Sequence, residues 1–322
     1  MHEYRSFMKD IFISFIQFMT VSQKWNDSYS KFLNSFDRYL NKEYPDSGCL
    51  SQDMINKWCS KHGNESNNSN RARTNVIIAL LRYMNKSGLS NIKEPERPKT
   101  QKCTHIPHAF TSEELSRFFY TCDHIKLHQN RKVLLIRKLV LCVIFRLMYS
   151  TGIRPNEARQ LKYAEVDLQY GVLNIIQTKG HDQHYVAIHE SMIEILKEYD
   201  QRMRSLVPDR QYFFPNGNDS YFSGKWLHRN FKTLWEKANP QQEAISYDFR
   251  HNYAVININN WMNEETDAYD KIYYLSKSMG HCNINHTLYY YSIVPQFSQL
   301  QQQLSGDSFS ELVPEVADDE EW

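Results

Sequence analysis

The 322-residue sequence has few cysteines, no long uninterrupted apolar run and no internal repeat. Six cysteines without a C-x-x-C pair do not form a disulfide scaffold in a chain of this length. The longest nearly apolar run, Leu139 to Tyr149, is interrupted by Arg146 and is too short to span a bilayer. The early apolar stretch, Ile11 to Met19, lacks a small-residue cleavage site, so we expect no signal peptide. These absences predict a cytoplasmic protein with no membrane partner.

Basic residues are missing from the end of the chain. Residues 301–322 contain no lysine or arginine and seven acidic residues, although the whole chain has a net charge of +1. The remainder has 38 basic and 30 acidic residues, a net charge of +8. A basic body with an acidic tail is typical of a protein that binds a polyanion. A solvated terminus on an ordinary enzyme would give the same charges, so both interpretations remain open here.

Apolar spacing predicts a helical domain over residues 1–92. Residues 29–40 and 76–84 carry apolar side chains at the i, i+3, i+4, i+7 spacing of amphipathic helices. Between them, Ser51 is placed to cap a short helix. Residues 93–108 then contain three prolines and four basic residues without a hydrophobic period. Because proline prevents helix formation, we expect an extended basic linker there.

A second domain over residues 109–300 combines helices with a small sheet. Thr111 and Glu114 form a capping box at its start, and the acidic tail, 301–322, follows its end. We expect two β-strands, 172–177 and 183–189, to form a hairpin. The predicted helices are 131–149, 156–163, 190–203, 222–238, 247–262 and 268–279. The predicted fold class is therefore mainly α with a small β-sheet, a helical domain followed by a mixed α+β domain.

The second domain carries side chains suited to attack on a phosphodiester. Each guanidinium can hold two phosphate oxygens and stabilise a pentacoordinate transition state. A lysine on a hairpin turn can protonate the leaving oxygen, and a tyrosine nucleophile forms a covalent intermediate that conserves bond energy. This set of groups requires no metal and no cofactor. The residues are Arg154 in 150–157, Lys179 on the hairpin turn, Arg250 in 247–251, His281 in 279–281 and, nine residues later, Tyr290.

The order and spacing of these residues resemble the tyrosine recombinase (phage integrase) family. The family pattern T-G-x-R-x-x-E matches Thr151 to Glu157, and a hairpin lysine follows at Lys179. The pattern H-x-x-R-H corresponds to residues 247–251, and G-H corresponds to 280–281, with Tyr290 at the nucleophile's position. More loosely, residues 1–92 look like the family's helical, SAM-like core-binding domain.

The resemblance implies a site-specific recombinase or integrase that cleaves and rejoins double-stranded DNA through a 3′-phosphotyrosyl intermediate. It implies a homotetramer on two specific recombination sites and is compatible with an accessory directionality factor. It also implies a protein that is associated with the nucleoid when it is bound to DNA. No cofactor is implied. The catalytic residues carried over from the family are Arg154, Lys179, Tyr247, Arg250, His281 and Tyr290.

Tyr247 departs from the family pattern, which has histidine at this position. A tyrosine still donates a hydrogen bond to phosphate, but it exchanges protons poorly at neutral pH. This substitution motivates an alternative, a non-catalytic DNA-binding accessory relative. A second alternative is a type IB topoisomerase-like enzyme, which shares the chemistry without exchanging strands between partners.

Several basic residues on predicted helices are candidates for contact with the DNA backbone. Solvated helix faces show the same pattern, so the sequence does not separate the two roles. The Cys-x-His pairs at 103/105 and 122/124 fit no common zinc module, and we expect no metal. The candidates for DNA contact are Arg71, Arg73, Arg159, Lys162, Lys225 and Arg229.

Overall fold

The computed structural model describes residues 3–101, 105–127, 129, 131–176, 183–218, 220–261, 268–281 and 283–287. The described chain forms two compact units, which divide between residues 104 and 105. Among these residues, no helix has the length and apolar character that a membrane crossing requires. The fold is mainly helical with one small antiparallel sheet, which confirms the predicted fold class.

The described part of the first unit consists of four helices around an aromatic and aliphatic core. The two apolar stripes of the sequence lie in α2 and α4, and Ser51 caps α3 by accepting a hydrogen bond from the Met54 N–H, as predicted. Side chains such as Phe12, Phe15 and Phe36 are fully buried between the helices. The helices are α1 (Lys9–Val21), α2 (Asp27–Glu43), α3 (Gln52–Cys59) and α4 (Asn67–Lys86).

Residues 93–101 form neither helix nor strand, and hydrogen bonds hold them to the helices of the first unit. The Lys93 N–H donates to Gln52 at 2.9 Å, and the Gln101 N–H donates to Asn68 at 2.8 Å. The guanidinium of Arg71 also donates to the Pro98 carbonyl at 2.8 Å. This stretch is therefore fixed along α3 and α4 and is not a free spacer.

The described part of the second unit contains seven helices and one small sheet, and the side chains of α6 face α5, α8 and α10. Thr111 and Glu114 form the predicted capping box of α5. The strands form an antiparallel sheet in the order β1-β2-β3. The elements are α5 (Ser112–Asp123), α6 (Lys132–Thr151), α7 (Pro155–Gln160), a 3₁₀ turn (Tyr163–Glu165), β1 (Val166–Asp167), β2 (Val172–Ile175), β3 (His184–Ala187), α8 (Glu190–Leu206), α9 (Gly224–Ala238), α10 (Asp248–Trp261) and α11 (Ala268–Ser278).

The predicted end of the helix over residues 156–163 is wrong, because α7 ends at Gln160. The following residues pair with a distant segment instead: the Leu161 carbonyl accepts from the Phe213 N–H, and the Tyr163 N–H donates to Gln211 O, each at 2.8 Å. These long-range bonds replace the helical ones. The sequence also did not predict β1, which has only two residues and exists through its pairing with β2.

Gly152 ends α6 in the left-handed conformation, with φ of 66°, and delivers the chain to Arg154. A Cβ at this position would lie 2.5 Å from the Tyr253 ring. We therefore expect Gly152→Ala to lower the free energy of unfolding by more than the roughly 1–2 kcal/mol that left-handed backbone alone costs. Urea unfolding measures the loss. Gly217→Ala is the matched control, since Gly217 also has positive φ but its Cβ would make only ordinary contacts at 3.7 Å. Equal losses in the two variants would contradict the predicted collision.

Candidate active site

Arg154 stands at the junction between α6 and α7, where Pro155 begins the helix. Its backbone N–H and its Nη1 both donate to the Glu157 carboxylate, each at 2.8 Å. The guanidinium also reaches the carbonyls of Met279 and Gly280 at 3.3 and 3.4 Å. The Arg154 side chain is 12% exposed. Arg154 is thus fixed in orientation while part of it still faces solvent.

Arg250 lies in the first turn of α10 and is 1% exposed. Its two terminal nitrogens donate to the Gly152 carbonyl at 2.8 Å and to the Met279 carbonyl at 2.7 Å. Arg154 and Arg250 therefore share the Met279 carbonyl as an acceptor. Residues about a hundred positions apart in sequence meet in one cluster of guanidinium groups.

His281 joins this cluster directly. Its Nε2 lies 2.8 Å from Nη2 of Arg250, and its Nδ1 lies 2.7 Å from the Thr287 hydroxyl. Because a guanidinium only donates, Nε2 must be the accepting nitrogen, and Nδ1 then carries the proton. Since His281 is buried, these two bonds define both the tautomer and the plane of its ring.

The strand β3 contacts the cluster at Gly280. A Cβ on Gly280 would lie 2.5 Å from the ring of His184, the first residue of β3, and Gly280 has a φ of 63°. Only glycine therefore fits between His281 and the sheet. His184 and Thr287 are residues of this site that sequence reasoning missed, since an isolated histidine in a strand and a threonine beyond a helix carry no distinctive pattern.

Glu157 supplies the negative charge beside the two arginines and is 5% exposed. Burial raises the pKa of its carboxyl, but the charges of Arg154 and Arg250 and the hydrogen bonds from Arg154 outweigh burial and leave the pKa lowered. Glu157 is consequently ionised at neutral pH and orients Arg154.

The lowered pKa of Glu157 predicts a pH-dependent stability. A carboxyl with a lowered pKa in the folded state stabilises above its unfolded pKa, about 4.3 for glutamate, and loses this contribution as pH falls through the folded value. We expect Glu157→Gln to reduce the free energy of unfolding by a constant amount from pH 7 to about pH 5. Below that range the difference from the unaltered protein should shrink. Urea unfolding across the pH range measures this, and a difference that grows on acidification would contradict the assignment.

Tyr247 lies immediately before α10, with its ring centroid 5.2 Å from that of His251. Its carbonyl accepts a hydrogen bond from the Arg250 N–H at 2.9 Å. Tyr247 is therefore part of the turn that presents Arg250, and its ring packs against His251 of α10. Lys179, Tyr290 and the acidic tail, 301–322, lie outside the described residues.

The candidates for DNA contact are in different environments. Lys225 and Arg229 are exposed on α9. Arg159 packs over the Tyr221 ring at 5.0 Å and donates to Phe222 O at 3.2 Å, while burial lowers the pKa of its guanidinium. Lys162 follows α7 and lies 3.9 Å from Glu165.

The two candidates of the first unit are both engaged with it. Arg71 is partly buried and bonded to the Pro98 carbonyl. Arg73 has a side chain only 6% exposed, which pairs with Glu65 at 2.7 Å and lies 5.1 Å from the Trp58 ring centre. These contacts on the core side of α4 correct the expectation of a DNA-facing Arg73 and favour a structural role.

The metal expectation concerned two Cys-x-His pairs, and Cys103 of the first pair lies outside the described residues. Among the described residues, no group of three or more histidine, cysteine or acidic side chains is placed to hold a metal ion. Cys122 is buried at the end of α5, and His124 Nδ1 lies 2.8 Å from the Tyr120 carbonyl. Burial raises the pKa of the Cys122 thiol well above its usual range.

Comparison with known proteins finds similarity to integrases and recombinases. The model of the phage integrase family matches residues 109–296. A putative integrase/recombinase of Sinorhizobium fredii, y4rB, is 26% identical over 210 residues, which cover 63% of this chain and 65% of the relative. This chain spans only 51% to 65% of the length of the first curated relatives that it matches.

Solved structures share the fold at low sequence identity. XerH site-specific recombinase, bound to a palindromic difH substrate after cleavage, is 21% identical with a TM-score of 0.57, over 87% of this chain and 79% of that chain. A lambda integrase tetramer bound to a Holliday junction is 11% identical with a TM-score of 0.55, over 87% and 76% of the two chains.

Proposed function

The chain belongs to the phage integrase family, and on that basis we propose that it is a tyrosine-type site-specific recombinase acting on double-stranded DNA. The observation that carries this proposal is the convergence of Arg154, Arg250 and His281 from three separate segments of the second unit. Two guanidinium groups around one acceptor form a site of concentrated positive charge. Such a site suits a phosphate whose negative charge increases in the transition state.

The reaction proposed for this cluster is a transesterification. The Tyr290 oxygen attacks phosphorus, the bond between phosphorus and the 5′ oxygen breaks, and the tyrosine proton leaves to a base. The products are a 3′-phosphotyrosyl bond and a 5′-hydroxyl, whose proton comes from Lys179 in this scheme. Attack by a 5′-hydroxyl of the partner strand reverses these steps and releases Tyr290.

The described residues support specific parts of this scheme. Arg154 and Arg250 would bind the non-bridging oxygens, with Glu157 orienting Arg154. His281, held by Thr287, would donate to the same phosphate from Nε2 once Arg250 turns toward DNA and this nitrogen takes up a proton. Tyr247 would contribute a hydrogen bond from the start of α10 and no proton transfer.

The partner in this proposal is duplex DNA carrying a specific recombination site, bound by a homotetramer. The solved lambda integrase tetramer on a Holliday junction supports an assembly of this kind. We assign residues 1–92 to a core-binding domain, 109–300 to the catalytic domain and 93–108 to the connection between them. An accessory factor that sets direction would be a further partner.

The exposed basic face of α9 is the proposed backbone contact of the catalytic domain. Neutralising phosphates releases counterions, so the logarithm of the DNA-binding constant should fall with the logarithm of salt at about 0.9 per contact. We expect Arg229→Ala to reduce this slope by about one. Lys237→Ala, which removes an exposed charge at the far end of the same helix, is the control. Titration of labelled DNA at several salt concentrations tests this, and an unchanged slope would remove Arg229 from the interface.

The direct test of the proposed function is a covalent adduct. Labelled duplexes from DNA flanking the encoding gene, with a nick placed to trap the broken strand, are incubated with protein and separated in denaturant. A recombinase gives a band that protease removes, joined through the DNA 3′ end, with a free 5′-hydroxyl that a kinase can label. A non-catalytic DNA-binding relative would shift the same duplexes in a native gel and leave no adduct.

A further inference from the structure

His105, near the start of the second unit, binds the buried first residue of α10. Its Nε2 lies 2.7 Å from Oδ1 of Asp248, whose side chain is 0% exposed. The other carboxylate oxygen, Oδ2, accepts from the Ile245 N–H at 2.9 Å. A carboxylate buried without donors is costly, so both bonds hold Asp248 in place. Since an ionised carboxylate only accepts, His105 donates through Nε2.

Asp248 lies within the turn that presents the arginine cluster. It follows Tyr247 and precedes Arg250 by two residues. The Arg250 N–H donates to the Tyr247 carbonyl at 2.9 Å, a bond that closes this turn around Asp248. Any displacement of the Asp248 carboxylate would therefore rotate the first turn of α10 and the guanidinium that extends from it. The proposed reaction assigns no chemical step to His105 or Asp248.

The same stretch of chain carries a second histidine in a comparable bond. His108 Nε2 lies 3.0 Å from Glu114 Oε2, and both side chains are largely buried. Glu114 belongs to the capping box of α5, so this bond holds the chain on α5 and not on α10. His108 therefore offers a matched control, because it is a histidine–carboxylate pair three residues away that does not touch the turn carrying Arg250.

We infer that His105 is a positioning residue. It anchors the start of the second unit to Asp248 and so orients the Arg250 guanidinium toward the scissile phosphate. The catalytic part of this inference rests on the proposed function, whereas the restraint on α10 does not. Glutamine places an amide N–H close to the position of His Nε2, and asparagine is one carbon shorter. His105→Gln should keep the bond, and His105→Asn should lose it.

The experiment measures single-turnover adduct formation at saturating DNA together with DNA affinity and thermal unfolding. His105→Asn should form adduct about 10- to 100-fold more slowly, since a misplacement of about 1 Å can cost that much. Its DNA affinity should stay within about threefold of the unaltered protein. His105→Gln should recover most of the rate, and His108→Asn should leave it unchanged even where unfolding shifts.

A double-variant test separates positioning from a general loss of stability. If His105 acts through Arg250, His105→Asn should slow adduct formation much less in an Arg250→Lys background than in the unaltered chain. Full additivity, or equal losses in His105→Asn and His108→Asn, would overturn the inference.

Hydrogen exchange gives a readout that needs no activity. Without DNA, amides of residues 245–252 should exchange faster in His105→Asn than in His105→Gln, and unchanged exchange would overturn the restraint. If the unaltered protein makes no adduct with any duplex, the proposed function fails. The exchange comparison then still decides whether His105 restrains α10.

Discussion

Replacing Tyr290 by phenylalanine is expected to abolish the covalent adduct completely. The hydroxyl is the reacting group, so its loss removes the bond-forming atom and not only a favourable contact. DNA affinity should remain within a few fold, because the arginines and the basic surface carry binding. Adduct formation on the nicked duplex and a native-gel titration measure the two quantities on one preparation.

The two neighbouring tyrosines are the controls for this prediction. Tyr289→Phe and Tyr291→Phe remove the same hydroxyl one position away, and both variants should still form adduct. The nine-residue distance from His281 singles out Tyr290 among the three. An adduct that survives Tyr290→Phe but disappears in either neighbour would move the nucleophile by one residue and leave the rest of the mechanism unchanged.

Replacing Arg154 by lysine is expected to slow cleavage by about 10²–10³-fold, the range typical for losing one donor to a developing oxyanion. Lysine keeps a positive charge beside Glu157 but lacks the planar fork that holds two oxygens at once. The loss should therefore appear in the cleavage rate and hardly in the unfolding midpoint. Single-turnover adduct formation measures it.

Glu157→Gln separates orientation from charge at the same site. It leaves the Arg154 guanidinium intact and removes the carboxylate that accepts its 2.8 Å bond. We expect a smaller loss of cleavage than in Arg154→Lys, together with lower stability. Should Arg154→Lys cleave at the rate of the unaltered protein, Arg154 would be a structural partner of Glu157 and not a ligand of phosphate.

Local interactions explain the features that the sequence predicted well. The caps at Ser51 and Thr111 form within one helical turn, and Gly152 ends α6 because only glycine takes a left-handed conformation at little cost. The amphipathic stripes and the hairpin likewise depend on neighbouring residues. Their positions could therefore be predicted from the sequence without knowledge of any long-range contact.

Basic residues illustrate what local patterns do not decide. Arg71, Arg73 and Arg229 look alike as charges on helices, yet Arg73 is buried on Trp58 and Glu65 and Arg229 is exposed. The difference arises from which face of each helix meets the core. Residues 93–101 show the same limit, because their prolines account for the absence of a helix but their docking depends on α3 and α4.

The sequence alone determined the fold class and the family resemblance, and it predicted Arg154, Arg250 and His281 as site residues, because residue type and spacing along the chain carry that information. Only the tertiary structure decided that both arginines meet at the Met279 carbonyl, that Gly280 lies against His184 and that His105 binds Asp248. These contacts join residues that lie between 29 and 143 positions apart in the sequence. Such contacts depend on how whole helices and strands pack, and no local pattern in one sequence records that packing.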